Sequence, residues 1–126
     1  MNPNEGAVWS LADALAAHKA SGGVYHQFFA VPEMSAGVYL LPAGSTDGQA
    51  PHLEDEIYYI VSGKAQIQIG NEHRPIEAGA TIFVAREIEH RFHDIEEDLT
   101  ILVIFAPAHD TDEANQRRAS AVRPGS

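Results

Sequence analysis

Apolar and polar positions alternate along much of the chain between residues 24 and 105, and this pattern predicts β-strands. In residues 64–69 the apolar Ala65, Ile67 and Ile69 alternate with polar residues, which is the period of a half-buried strand. Other predicted strands are runs rich in β-branched and aromatic residues: Val24–Val31, Ala36–Leu41, Ile57–Val61, Thr81–Val84, His90–His93 and Leu99–Phe105. Short strands separated by turns favour an antiparallel sandwich or barrel over βαβ units. We interpret Ile57–Val61 as a continuous apolar core strand that ends at Ser62-Gly63.

One short helix precedes the strands. Ser10 can cap its N-terminus and Asp13 suits the positive end of the helix dipole. Leu11, Leu15 and His18 fall on one face, and Gly22-Gly23 ends the helix. We therefore divide the chain into a loose arm (1–8), a single domain (9–106) and a flexible tail (107–126), which is poor in large apolar residues.

Composition and charge exclude several classes of function. The 126 residues, 44% of them apolar, suffice for one domain with a real core. No cysteine is present, so disulfides, thiol catalysis and thiolate metal sites are excluded, and a transition metal would need histidine and carboxylate ligands. The net charge of −10 disfavours nucleic acid and anionic membranes as partners. There is no apolar run of membrane-spanning length and no signal-peptide pattern, which predicts a soluble, cytoplasmic protein.

Candidate chemistry is concentrated around His52 and Glu56. Side chains four apart in a strand point to the same face, so both can look inward, and Tyr58 continues that face. An ionised glutamate entering a core strand is costly unless it is paired or metal-bound. The alternative interpretation is that Glu54-Asp55-Glu56 is an acidic loop before the strand.

A second group of candidate residues lies at His90–Asp94. There His90, Phe92 and Asp94 share one strand face, with Arg91 and His93 on the other, so His90 is the histidine expected to face the interior. The remaining histidines are interpreted as surface, solvated or hydrogen-bonded core residues: His18, His26, His73 and His109.

These two segments resemble the two sequence motifs of the cupin superfamily. The first motif is a glycine, five residues, His-x-His, three or four residues, a glutamate, six residues and a glycine. Its positions fall on Gly44, Ala50, His52, Glu56 and Gly63. The positions of the second motif fall on Gly79, Ala85, Glu87, His90 and Asp94. The resemblance implies an all-β fold, an antiparallel double-sheet jelly-roll barrel with one short N-terminal helix and a flexible C-terminal tail.

The resemblance also implies a metal site, with departures. The family's usual metal ligands are three histidines and one glutamate. In this chain the matching positions hold His52, Glu56 and His90, and Ala50 stands at the position of the first histidine. Gln49, Glu54 or water could replace the lost ligand, and a shifted register would make His52 the leading ligand and Glu54 the second. The implied cofactor is a divalent metal (Fe, Mn, Ni, Co or Zn).

Two functions follow from the resemblance. The first is a small metal-dependent enzyme, such as a dioxygenase, with Tyr58 as a catalytic acid–base or substrate-binding group and an apolar wall made by Phe83, Phe92 and Phe105. The second is a non-catalytic small-ligand-binding or structural cupin, with or without a metal. In both, the partner is a small molecule. A homodimer is also predicted, with the edge run Val24–Val31 paired or exchanged between subunits.

Overall fold

A computed structural model describes residues 5–48 and 51–109. It contains one helix, α1 (Leu11–Ser21), followed by six antiparallel strands. The strands are β1 (Tyr25–Val31), β2 (Met34–Leu41), β3 (Asp55–Ile69), β4 (Glu72–Glu77), β5 (Thr81–Val84) and β6 (His90–Ala106). The prediction of an antiparallel β protein with one short N-terminal helix is confirmed.

The helix ends are those the sequence predicts. Asp13 N–H donates to Ser10 Oγ (3.0 Å), and Gly22 adopts the left-handed conformation with φ 76°. The buried helix residues are Ala14 and His18, whereas Leu11 is 42% exposed. Of the predicted face of Leu11, Leu15 and His18, only His18 is therefore buried, and Ala14 joins it on the side of α1 that faces the sheet.

The strands pair in the order β1-β2-β6-β3-β4, and β5 also pairs with β3. Within the described residues, β1 and β4 lie at the two ends of this order and form no ladder with each other. The sheet is therefore open in its pairing, so the predicted double-sheet jelly-roll barrel is not confirmed. Strands β3 and β6 lie at its centre and pair along most of their length.

Strands β3 and β6 are each longer than the sequence predicts. The predicted turn at Ser62-Gly63 is instead an irregular stretch of β3, where the register with β6 shifts. Gly63 has φ 105°, and a Cβ there would lie 2.4 Å from the carbonyl oxygen of Asp98. The glycine therefore permits close approach of two backbones rather than a chain reversal, and the strand continues.

The core lies on one face of this sheet. Along β3, Glu56, Tyr58 and Ile60 are buried, while Ile57 and Tyr59 are 40% and 43% exposed. The interpretation of Ile57–Val61 as a continuous apolar core strand is wrong, because only alternate side chains reach the core.

The shared face predicted for His90, Phe92 and Asp94 holds only for the first two. His90 and Phe92 are buried, but Asp94 is exposed. Asp94 has φ 47°, a left-handed conformation that interrupts the alternation, so that Ile95 rather than Asp94 enters the core.

The chain after β6 folds back onto the sheet. Ala108 is fully buried and its N–H donates to Pro32 O (3.3 Å), while the N–H of His109 donates to Ser35 Oγ (2.9 Å). Residues 107–109 of the predicted tail are thus packed against the domain; residues 110–126, with the rest of that prediction, lie outside the described residues.

Candidate metal centre

Three predicted ligand residues converge at the start of β3 and the start of β6. One ligand atom from each of His52, Glu56 and His90 lies within 4.8 Å of the others. Glu56 Oε1 is 2.6 Å from His90 Nε2 and 4.0 Å from His52 Nε2. A metal bound at about 2.0–2.2 Å keeps its ligand atoms within about 4.4 Å of one another. The cluster therefore has the ligand types and the size of a divalent-metal site.

The backbone fixes the segment that carries His52 and Glu56. The carbonyl oxygen of His52 accepts from Glu87 N–H (2.7 Å), and Asp55 Oδ1 accepts from Arg86 N–H (2.9 Å). Glu54 and Glu56 are 4% and 2% exposed. The acidic-loop alternative is therefore wrong, because the loop connecting β5 and β6 holds this segment and turns two of its three carboxylates inward.

Glu56 is a buried carboxylate without ordinary hydrogen bonds. Among the described residues, neither of its oxygens has a hydrogen bond of acceptable geometry, and the same is true of His90 Nε2. The 2.6 Å contact between His90 Nε2 and Glu56 Oε1 thus brings two polar atoms together without the alignment of a hydrogen bond. A buried ionised group in this state costs several kcal/mol unless a charge neutralises it. These orphaned atoms fit the ligands of a cation bound beside them.

The tautomer of His90 follows from its other ring nitrogen. Nδ1 lies 2.8 Å from the carbonyl oxygen of Ile88, which can only accept, so Nδ1 carries a proton. In the neutral ring, Nε2 then presents a lone pair to Glu56. Burial lowers the pKa of His90, but the Glu56 carboxylate and the Ile88 carbonyl together outweigh it, and the net pKa is raised above 6.5. At 2.6 Å only a proton fits between Nε2 and the carboxylate, so a metal would bind both groups from one side of this contact.

His52 is held in the form that binds metal. Burial lowers its pKa below 6.5; the Glu56 charge opposes this, and the neighbouring His90 and His109 add to it. The ring centroids of His52 and His90 are 5.2 Å apart. Its imidazole is therefore neutral at pH 7, which is the ligand form of histidine.

A second group of ligand atoms adjoins the first, and the sequence interpretation missed part of it. His52, Glu54 and His109 also place one ligand atom each within 4.8 Å of one another. The Nδ1 of His109 contacts Glu54 Oε1, and the His109 side chain is only 21% exposed. The interpretation of His109 as a solvated tail residue is wrong. The signal lies in strand pairing: Asp55 pairs with Ala106, so the residues before Asp55 face those after Ala106.

A cavity of about 360 Å³ opens beside this cluster. Its lining consists mostly of apolar and aromatic residues together with two of the histidines: Val24, Tyr25, Tyr39, Gly48, His52, Tyr58, Val103, Phe105 and His109. Small-molecule sites have this size and this mixture of apolar walls with a few polar groups. His52 and His109 thus lie where a small molecule could reach them.

Tyr58, the predicted catalytic residue, is 1% exposed and lines this cavity. Its ring packs on Phe92 (5.0 Å between centroids) and lies 6.1 Å from that of His90. Of the three predicted wall residues, Phe105 lines the cavity and Phe92 supports Tyr58. Phe83 is 61% exposed and points away, because it falls on the outward parity of β5. The catalytic role of Tyr58 stays a prediction.

His18 and His73 fit the ordinary interpretations. His18 is buried with its Nε2 at 2.7 Å from Val24 O, and the exposed His73 pairs with His93 on β6. Glu54, the suggested replacement ligand, is grouped with His52 and His109 rather than with Glu56 and His90. Gln49 and Ala50 lie outside the described residues.

Comparison with known proteins identifies the family. The family described as "Cupin domain" matches residues 37–105, which is more than half of the chain. The chain belongs to the cupin family.

An uncharacterized protein of Streptomyces coelicolor is 45% identical over 96 residues, covering 75% of this chain and 91% of that protein. Among solved structures, KdgF from Halomonas sp. aligns with a TM-score of 0.63 at 21% identity, over 68% of this chain and 79% of that one. The cupin domain of Schizosaccharomyces pombe Cnp3 aligns with a TM-score of 0.63 at 18% identity, over 81% and 74% of the two chains. Both structures support the fold alone.

One further result concerns membranes: within the described part of the chain, no helix is long and apolar enough to cross a bilayer.

Proposed function

We propose that this cupin is a metal-dependent enzyme, such as a dioxygenase, that acts on a small, largely apolar molecule. The divalent metal would be held by His52, Glu56 and His90, with the substrate in the adjoining cavity. The observation that carries the proposal is the buried Glu56 carboxylate, whose oxygens lack hydrogen bonds while two imidazoles converge on it. A set of two histidines and one carboxylate leaves coordination positions open.

When bound, the metal would supply a Lewis acid and a binding position for dioxygen or a substrate oxygen. The chain's own residues do the rest. Phe105 and Val103 cover the cavity wall and exclude water from the substrate, and Tyr25 extends that wall through its edge contact with Phe105. Tyr58 reaches the same cavity beside His90, so its hydroxyl is the group we assign to substrate hydrogen bonding or proton transfer.

Tyr39, which also lines the cavity, is unsuited to proton transfer. Burial and its hydrogen bond to Asp47 raise the pKa of Tyr39 far above its usual value of 10. It therefore donates permanently to Asp47 and serves as structure. This difference gives a matched pair of variants: we expect Tyr58→Phe to lower turnover, while Tyr39→Phe acts on folding stability.

The experiment has two stages. Protein purified without added metal is analysed for Fe, Mn, Ni, Co and Zn, and stripped protein is then titrated with each ion. We expect about one tight equivalent of at least one ion in the wild type and none in His52→Ala. Dioxygen consumption is then screened over small phenols and diketones. A wild-type chain that takes up none of these ions contradicts the proposal.

A metal-free binding protein is the second candidate, and one observation favours it. The raised pKa of His90 allows an imidazolium to neutralise Glu56 at 2.6 Å without a metal. The cavity would then bind its ligand through apolar contact alone. Ligand-induced thermal stabilisation that is the same with and without a chelator, in protein that takes up no metal, distinguishes this function.

A homodimer and a cytoplasmic location complete the proposal. β1 is an end strand of the sheet, and its last residue Val31 and the paired Met34 of β2 are 42% and 40% exposed. An unpaired edge of this kind is usually covered by another chain. We also retain the jelly-roll barrel closure typical of the family as a proposal. Light scattering at micromolar concentration should show twice the mass of one chain, and a monomer would contradict the dimer.

A further inference from the structure

We propose that His52, Glu54 and His109 form a second divalent-metal site, adjacent to the first and sharing His52 with it. The two groups have the same composition, two imidazoles and one carboxylate, and in each group the ligand atoms all lie within 4.8 Å of one another. A neutral imidazole coordinates through one nitrogen. His52 can therefore bind an ion in one group or in the other, but not in both at once. The chain thus has two alternative positions for one ion.

His109 is fixed by contacts on several sides. Its backbone N–H donates to Ser35 Oγ (2.9 Å), and Ala108 before it is fully buried. Its ring stacks on Phe105 with centroids 4.5 Å apart and planes inclined by 21°, and meets the Tyr25 ring edge-on at 6.1 Å. An imidazole held in this way has little rotamer freedom left to lose on binding a metal.

Glu54 supplies the charge of the group. Its side chain is only 3% exposed and its Oε1 contacts Nδ1 of His109. A buried carboxylate is tolerated when it is paired or coordinates a metal. Its neighbours in sequence are anchored through His52 O and Asp55 Oδ1 to the loop after β5, so the carboxylate is presented by fixed backbone.

His52 lies between the two groups. Its ring centroid is 5.2 Å from that of His90 and 5.3 Å from that of His109. Both His52 and His109 line the cavity of about 360 Å³. An ion in the second site would therefore lie at the cavity wall, whereas Glu56 and His90 hold the first site at 2% and 3% exposure in the core. The second site is the more accessible of the two.

The chemistry of the donors sets the choice of ion. Imidazole with one carboxylate suits Zn, Ni, Co or Cu, while Mg and Ca prefer an all-oxygen shell. Co²⁺ is a suitable probe because its absorption reports the coordination directly.

The test removes the first site and leaves the second intact. In Glu56→Gln/His90→Gln, the two residues unique to the first site become neutral amides of similar length. We expect this double variant to retain about one equivalent of Co²⁺, with its visible absorption changed from the wild type. Adding His109→Ala should lower the Co²⁺ affinity by at least about tenfold. A double variant that binds no Co²⁺, or binds it equally well with His109→Ala, overturns the second site.

Two controls keep the result interpretable. His73→Ala removes a histidine of the exposed His73–His93 pair, and we expect it to leave Co²⁺ binding of the double variant unchanged. If the double variant does not fold by circular dichroism, Glu56→Gln alone replaces it, and loss of Co²⁺ on adding His109→Ala is again required. A wild type that binds no metal refutes the proposed function as well, whereas failure in the variants alone refutes only this second site.

Discussion

Two buried carboxylates, Asp47 and Glu56, lie in the same core with opposite hydrogen-bonding states. Asp47 is 3% exposed, accepting from Tyr39 Oη–H at Oδ1 (2.5 Å) and from Phe92 N–H at Oδ2 (2.9 Å). Glu56 is 2% exposed, and neither oxygen has a hydrogen bond within the described residues. Burial is equal, so burial alone does not mark a functional group. The difference is that the fold satisfies Asp47 and leaves Glu56 for a cation.

The first prediction changes Glu56, where we expect the largest effect. In a His109→Ala background, where the second ligand group cannot hold the ion, Glu56→Gln should weaken metal binding more than about a hundredfold, since loss of an outer-shell partner alone costs 10–100-fold. The unfolding free energy of the metal-free protein should change by less than about 1 kcal/mol, because the amide can donate to His90 Nε2 and no buried charge remains. Isothermal titration and urea unfolding measure the two quantities. A Glu56→Gln protein that is destabilised but binds metal as tightly as its parent would show that Glu56 stabilises the fold and does not bind the metal.

Asp47→Ala should show the opposite behaviour. It leaves the Tyr39 hydroxyl and the Phe92 N–H buried without their acceptor, at a cost of about 2–4 kcal/mol. Metal affinity of the folded variant should stay within about fivefold of the wild type, since Asp47 is outside both ligand groups. Asp47→Asn, which keeps one acceptor oxygen, is the matched control and should cost about half as much. A variant as stable as the wild type would show that Asp47 is not structural.

The third prediction uses the pH dependence of the metal-free protein. The pKa of His90 is raised in the folded state, so its pairing with Glu56 stabilises the fold fully below the unfolded pKa of 6.5. That contribution is lost as pH rises above 6.5 through the raised folded pKa. His52 has a lowered pKa, and its contribution is instead lost as pH falls from 6.5 through that lowered value.

Unfolding free energies of stripped wild type and His90→Gln should therefore converge as the pH rises from about 6.5 to about 9. Metal binding requires neutral imidazoles and should strengthen over the same range. If the unfolding free energy of the metal-free wild type instead exceeds that of His90→Gln by more as the pH rises, the ion pair between His90 and Glu56 is contradicted.

The smallest expected effect concerns a hydrogen bond at the protein surface, for comparison with the buried hydrogen bonds of Asp47. Ser10→Ala removes the cap that accepts from Asp13 N–H, and should cost about 1 kcal/mol of unfolding free energy. Ser10→Asp, which keeps a capping oxygen, should restore it. Metal affinity should be unchanged in both. A cost equal to that of Asp47→Ala would show that burial adds nothing to the value of the Asp47 hydrogen bonds.

Most of the strands and the helix ends could be predicted from local patterns. Alternation along β3 and the glycine after α1 are properties of neighbouring residues, and the structure follows them. The continuation of β3 through Gly63 could not be predicted, because it depends on the approach of Asp98 from a distant strand. The interrupted alternation at Asp94 could not be predicted either. It depends on a left-handed backbone conformation, which aspartate tolerates but does not require.

The candidate site divides in the same way. His52, Glu56 and His90 could be selected because motif spacing and strand parity place them on one face, and the structure brings them together. His109 could not, since it lies 55 residues from Glu54 and meets it only through the register of β3 and β6. Composition alone made the end of the chain resemble a solvated tail, although the last residues of the sheet carry it back to the cavity.

Metal soaking of a crystal tests the central claim most directly. Anomalous difference density, collected at the absorption edge of Co²⁺ for wild type, Asp47→Asn and Glu56→Gln, locates the ion independently of activity. We predict a peak within bonding distance of Glu56 in the first two, and its loss from that position in Glu56→Gln. A wild-type crystal in which Glu56 remains in contact with His90 alone, at an ion concentration that saturates binding in solution, would contradict the claim that the fold leaves Glu56 for a cation.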